Sequence, residues 1–281
     1  LTHIRSVYIE EAKKILINAR MAENQKAFLY AKELGYQFLE TSGERALMTP
    51  WPRATSFDHV LNNSRASYFA GALLISPEVL VNQLTEFFGA KKWDDSKLLE
   101  MLSGYNSSPE MFMLRLLNII PKYFGLGRMF FMRYDHKNAE NETTLKKQLH
   151  LSRKRNLDNI SLLAEHCGAW AQREIFSDLG ASREAHCHRF TTEDESKNFT
   201  VMALSRPMKR DPNASLSVMI GFEETSAFQR KVGFANDSSI SVTKMKVHAG
   251  KALAEQEFLR IQDAMRGLMD NEKQSAVGEL T

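Results

Sequence analysis

The apolar residues of this 281-residue chain change their spacing near Gly125. That change restricts the fold to helices followed by an antiparallel sheet with further helices. Before it, apolar side chains recur every three or four residues, the period of helices with one buried face. After it, Phe199, Val201 and Ala203 alternate with Thr200, Met202 and Leu204, a pattern that reads as a strand buried on both faces. Leu216, Val218, Ile220 and Phe222 alternate with Ser217, Met219 and Gly221, a second strand buried on at least one face. Asp211-Pro212-Asn213 supplies turn chemistry between the two, so they are expected to pair antiparallel. Met129–Arg133 reads as a short strand, and helices are expected around Ile160–Phe176 and near Lys251–Met269. The last of these carries Phe258, Ile261, Met265 and Leu268 on one face. The fold class is therefore α+β: a mainly helical domain over residues 1–124, then an α/β domain with an antiparallel sheet over 125–281. The second domain suits a small-molecule sensor of the GAF or PAS kind, as a fold-level analogy.

Within the helical part, Ile4, Val7, Tyr8, Ile15, Leu16 and Ala19 fit a first helix. Phe28, Leu29, Gly35, Phe38 and Leu39 fit a second. Gly43, Pro50 and Pro52 mark the following loop. The next helix is read with Phe57, Val60, Leu61, Ser64, Tyr68, Ala72 and Ile75 as its buried stripe. Its Ala66, Ala70 and Gly71 are small enough for another helix to approach closely. Ser76-Pro77-Glu78 and Ser108-Pro109-Glu110 are matching helix starts: a capping serine, a proline in the first turn and an acid near the positive end. A shorter helix is expected over Trp93–Leu102, and the helix after Ser108 is expected to stop before Pro121. The last two resemble a helix-turn-helix only superficially. The second is mostly apolar, and Arg115 is its only basic residue before Pro121, where a DNA-reading helix needs several polar or basic side chains.

Lys32 and Tyr36 lie four apart on one helix face with Glu33 between them. A zinc peptidase uses the same layout, His-Glu-x-x-His, with two imidazoles on the metal and the Glu as general base. Here an ammonium and a phenol stand at the ligand positions. KELGYQFL followed by LNNSRASYFAGALLISP resembles the ImmA/IrrE-type peptidase domain. The likeness is nearest the branch found in bacterial regulators of short-chain fatty acyl-CoA metabolism. It continues through PEMFMLRLLNIIPKYFGLGRMFFMRY and LLAEHCGAW and so spans most of the chain. The resemblance implies a zincin-derived scaffold, and it puts the third metal ligand at Asn63, a neutral amide. All three ligand positions depart from the peptidase pattern, so no catalytic residues, no metal and no cofactor are expected. In such regulators an XRE-type helix-turn-helix comes first, then the peptidase-like domain, then an effector domain. This chain opens on Leu1 rather than Met, and the DNA-binding domain is expected upstream. The implied protein is a cytoplasmic, dimerising regulator that senses a small metabolite such as a short-chain acyl-CoA. A zinc metallopeptidase with atypical ligands is the alternative.

Lys32, Glu33, Tyr36 and Asn63 are thus either a repurposed polar pocket or an ordinary solvated, ion-paired helix surface. Lys146, Lys147, Arg153, Lys154 and Arg155 form the sharpest basic cluster and are candidates for the phosphates of a CoA thioester, against the dull reading of a solvated charge run. His59, Glu165, His166 and Cys167 have no metal-ligand spacing, although Glu165-His166-Cys167 with Trp170 keeps part of what relatives carry there. His186, Cys187 and His188 are adjacent, so on a strand they cannot all face one ion. FGLGRM lacks the rest of a phosphate loop, and no G-x-S-x-G elbow is present. A net charge of +3 gives no nucleic-acid footprint, two cysteines make no disulfide framework, and no apolar run approaches the roughly 18 residues of a membrane span.

Overall fold

The computed structural model describes residues 5–9, 11–39, 57–137, 142–151, 184–192, 197–208 and 211–245. The expected helices at Ile160–Phe176 and Lys251–Met269 lie outside the described residues. The fold is α+β, and the described residues belong to two compact units, one within Leu1–Ile75 and one spanning Ser76–Lys251.

The first unit opens with a hairpin, where the spacing had indicated a helix. Strand β1 (Ser6–Ile9) pairs antiparallel with β2 (Lys14–Ile17). Tyr8, Ile9, Ile15 and Ile17 are β-formers in runs too short to separate a period of two from one of 3.6. Lys13, at φ 48°, turns the chain with no glycine to announce it. Helix α1 (Glu23–Phe38) follows, then α2 (Phe57–Leu74). The buried face of α1 is Leu29, Lys32, Gly35 and Tyr36, whereas Phe38 is 73% exposed. The apolar positions that first mark this helix are therefore only partly the ones it buries. Among the described side chains of α2 the buried ones are Ala66, Ala70 and Gly71; of the stripe read from spacing, Ile75 just past the helix is buried, while Ser64 and Tyr68 face outward. The small residues do permit close approach. A Cβ on Gly35 would lie 3.1 Å from the Ala66 carbonyl oxygen and 3.1 Å from Phe69, so glycine sets the distance between α1 and α2.

The second unit contains helices α3 (Pro77–Gly89), α4 (Asp95–Gly104) and α5 (Pro109–Phe124) together with the large sheet. The change of periodicity at Gly125 marks a change of element type inside this unit. Asp94 caps α4 through the Ser96 N–H, and Ser108 Oγ accepts from the Met111 N–H at the start of α5. Helix α5 runs through Pro121 and ends at Gly125, which has φ 67°. The proline sits one turn from the C-terminus, where continuing costs only the bond its missing N–H would have made. Phe112, Met113, Arg115, Leu116, Leu117, Ile119 and Ile120 of α5 are buried, so this helix is a core element rather than an exposed reading helix.

The sheet has the order β4 (Glu142–Leu151), β3 (Met129–Lys137), β7 (Asp211–Glu223), β6 (Asn198–Met208), β5 (Glu184–Thr192), β8 (Val242–Met245). The first five strands pair antiparallel, and β8 joins β5 in parallel. Strand β6 is buried on both faces from Phe199 to Ser205, as its composition indicates. Met208 pairs with Asp211, so Asp211-Pro212-Asn213 opens β7 rather than forming the whole turn. Strand β3 continues past Arg133 to Lys137 because its partners on both sides extend that far.

One sheet face packs on helices. Phe222 lies 6.3 Å from Phe88 of α3 and 5.5 Å from Phe228 of a short helix, Ser226–Lys231. Arg133 on the same face donates to Glu110 of α5 at 2.7 Å. The other face carries Phe130, Met132 and Tyr134 on β3, Ser217, Met219 and Gly221 on β7, Val201, Ala203 and Ser205 on β6, and His186 and His188 on β5. Burying each large apolar side chain here contributes roughly 1.5–3 kcal/mol.

Candidate functional site

The three side chains that the resemblance sets at metal-ligand positions converge. Lys32 Nζ donates to Asn63 Oδ1, and the Tyr36 hydroxyl donates to the same oxygen at 3.3 Å. Lys32 Nζ also sits 5.7 Å from the centre of the Tyr36 ring, within cation–π range. The one-turn spacing on α1 stacks Lys32 over Tyr36, and Gly35 brings that face against α2, where Asn63 meets it. Both α1 residues are only 4% exposed. An ammonium this deep requires hydrogen-bond acceptors and benefits from an aromatic face, and the cluster supplies both. Glu33 is turned elsewhere: it accepts from Gln37 Nε2 at 3.0 Å on the outer side of α1.

The basic cluster does not gather in the same way. Lys147 Nζ lies 3.4 Å from Glu110 Oε1 and 5.8 Å from the Phe131 ring centre, so its charge is met by α5. Lys146 is exposed and is the extra residue at the β3–β4 bulge, where Arg133 pairs with Lys147 and Tyr134 with Leu145. Arg153, Lys154 and Arg155 lie outside the described residues, as do Glu165, His166, Cys167 and Trp170. The side chain of His59 is likewise not described. His186 and His188 share one face of β5, ring centres 6.3 Å apart, while Cys187 points to the other. Burial, then His186 beside it, pushes His188 down to about 4, and burial pushes the Cys187 thiol up. Among the described residues no group of three His, Cys, Asp or Glu could hold a metal ion.

On the other side of β5, Arg189 makes a two-pronged bond to Glu224, both contacts 2.8 Å, and Thr200 donates to the same carboxylate at 2.6 Å. Burial is what makes this pairing necessary, and its geometry is that of a structural clasp.

A second polar feature escaped the sequence reading. Tyr134, Ser217 and Ser205 are cross-strand neighbours on β3, β7 and β6, all on the face away from α3 and α5. They are 2%, 0% and 5% exposed. Ser217 Oγ has no hydrogen-bond partner among the described residues, and the Tyr134 hydroxyl donates to the Met132 sulfur at 3.2 Å. The signal was present in the alternation of Ser217 with Val218 and Ser205 with Leu204. It became visible only once the register aligned the two serines with a tyrosine beyond the expected end of β3.

No family model matches the chain, and no curated protein matches it. Among solved structures, one described as a Mycobacterium tuberculosis transcriptional regulator is similar over 86% of this chain and 69% of that one, with a TM-score of 0.55 and 14% sequence identity. At that identity the likeness is one of fold. Among the described residues no helix is long and apolar enough to cross a membrane.

Proposed function

We propose that this chain is the effector-sensing and dimerising part of a bacterial transcriptional regulator, without peptidase activity. The observation that carries the reading is Lys32: a buried amine, bonded to Asn63 beside Tyr36, stands where the resembling peptidases place their metal. A fixed positive charge there supports the helix pair without an ion, in keeping with a degenerate ImmA/IrrE-type scaffold. The fold likeness to a solved transcriptional regulator points to the same class. In this reading a small metabolite, a short-chain acyl-CoA being the first candidate, binds the sheet-containing unit and shifts the balance between two arrangements. DNA would be read by an XRE-type helix-turn-helix outside this chain, in the cytoplasm.

Calorimetric titration with acyl-CoAs and free acids, with oligomeric state followed by light scattering, tests this. Binding of one class with a change in association state is expected; no binding and no change would overturn it. Metal analysis addresses the peptidase alternative: stoichiometric zinc with proteolysis abolished in Glu33→Gln would replace the regulatory reading.

A further inference from the structure

We propose that the sheet face away from α3 and α5 takes the effector by a neutral carbonyl group, with Ser217 as the bonding hydroxyl and Ser205 and Tyr134 flanking it. This rests on the effector-sensing reading and names the chemistry it requires.

Ser217 is fully buried, and its Oγ meets no partner. A hydroxyl in that state weakens the fold, and native proteins keep few such groups without a use. Its position is central: β7 lies between β3 and β6, and Ser217 stands opposite Tyr134 on one side and Ser205 on the other. Directly opposed side chains on neighbouring strands lie roughly 5 Å apart at Cβ, so the three residues form one row, although the Tyr134 hydroxyl itself reaches along β3 to the Met132 sulfur. The next row of the same face is Met132, Met219 and Ala203, all buried. Beyond it the Phe130 ring lies directly over Gly221, where a Cβ would be 1.9 Å from the ring Cζ. A polar row thus borders an apolar floor, which suits a polar group joined to a short alkyl chain.

The polar group is neutral. Arg133, Lys147 and Arg189 belong to the opposite face and are engaged by Glu110 and Glu224, and Arg128, beyond the Phe130 end of the face of Ser217, is paired with Glu223. The imidazoles of His136 and His188, on the face of Ser217, are held neutral by burial, with His186 adding to the effect at His188. A carboxylate set here would be desolvated without a countercharge from the described residues. A carbonyl oxygen, as in a thioester, ester or amide, needs only the hydroxyl donors present.

The test is calorimetry on the full chain with butyryl-CoA, butyrate and free CoA, repeated for Ser217→Ala and Ser205→Ala. Butyryl-CoA should bind the wild type and butyrate should not. Ser217→Ala should weaken the thioester by roughly three- to tenfold, the range of one neutral hydrogen bond. The same variant should unfold at a higher temperature than wild type when ligand is absent, since it removes the unpaired hydroxyl; this also shows that it folds. Wild-type binding with both variants unchanged in affinity would overturn this inference and leave the sensing reading standing. Butyrate binding as tightly as the thioester would overturn the neutral carbonyl. A wild type that binds none of the three overturns both.

Discussion

The two compact units each bury polar groups, and one group in each is treated in the opposite way to the other. Between α1 and α2, the Lys32 ammonium is given an amide oxygen and an aromatic ring from the same cluster. On the sheet face, the Ser217 hydroxyl is given no partner by the described residues. The difference separates completion from readiness. A cluster whose members satisfy one another holds an architecture in place, and a buried donor left open has capacity for something outside the chain. In the first unit the Lys32–Tyr36–Asn63 cluster is a structural clasp. In the second, the polar row is where the proposed effector would act.

The largest expected effect breaks the completed cluster. Asn63→Leu removes an acceptor of a 4%-exposed ammonium and should lower stability by about 3 kcal/mol, read by urea unfolding. Asn63→Asp should keep most of that stability, because a carboxylate accepts from Lys32 at least as well as an amide. A loss below about 1 kcal/mol in Asn63→Leu would mean that the amide is dispensable, and the contrast between the units would weaken.

Acid should act on the second unit. His188 is pushed down to about 4 from an ordinary 6.5 by burial, with His186 adding to it, so the folded state holds it neutral. Its contribution is complete above pH 6.5. Below that the unfolded chain takes up the proton first, and stability falls until the folded pKa near 4 is reached, by about 3 kcal/mol in total. His136, lowered by burial, shifts the balance the same way. Urea midpoints between pH 7.5 and 4.5 should drop in wild type and drop less in His188→Leu.

How far the two units were legible in the sequence follows from the same contrast. Strand β6 announced itself because both faces are apolar along most of its length, and β7 because Leu216, Val218, Ile220 and Phe222 alternate without a break. The Lys32–Tyr36–Asn63 cluster was legible from a one-turn spacing and a resemblance, which is local information. The hairpin at the start was not, because Val7, Tyr8, Ile15 and Leu16 satisfy either period and the turn residue is a lysine. The row of Tyr134, Ser217 and Ser205 was illegible for a different reason: it exists only after three strands distant in sequence have taken their register.

Two glycines sharpen the comparison at a smaller scale. Gly221→Ala puts a methyl into the Phe130 ring, 1.9 Å away, so the ring must leave the floor of the sheet face. About 2 kcal/mol of stability should be lost, together with any binding that uses that floor. Gly35→Ala meets backbone and side chain of α2 at 3.1 Å and requires only a slight separation of the helices, for about 1 kcal/mol. Thermal unfolding of both variants orders the two. If Gly35→Ala proved the costlier, the helix pair would be the less yielding structure and Phe130 free to swing aside.

The smallest effect probes the division of labour inside the helix pair. The Tyr36 hydroxyl reaches Asn63 at 3.3 Å, a long bond, while the ring beneath Lys32 survives its removal. Tyr36→Phe should therefore cost only about 0.5 kcal/mol in urea unfolding, because the aromatic face and the Lys32–Asn63 bond both remain. Tyr36→Leu removes the face as well and should cost more. The step from Phe to Leu measures what the ring gives the cation, and the step from Tyr to Phe measures the phenol. A phenol step larger than the ring step would reverse the roles: the hydroxyl would be the group that positions Asn63, and Lys32 would owe its acceptor to Tyr36 rather than share it.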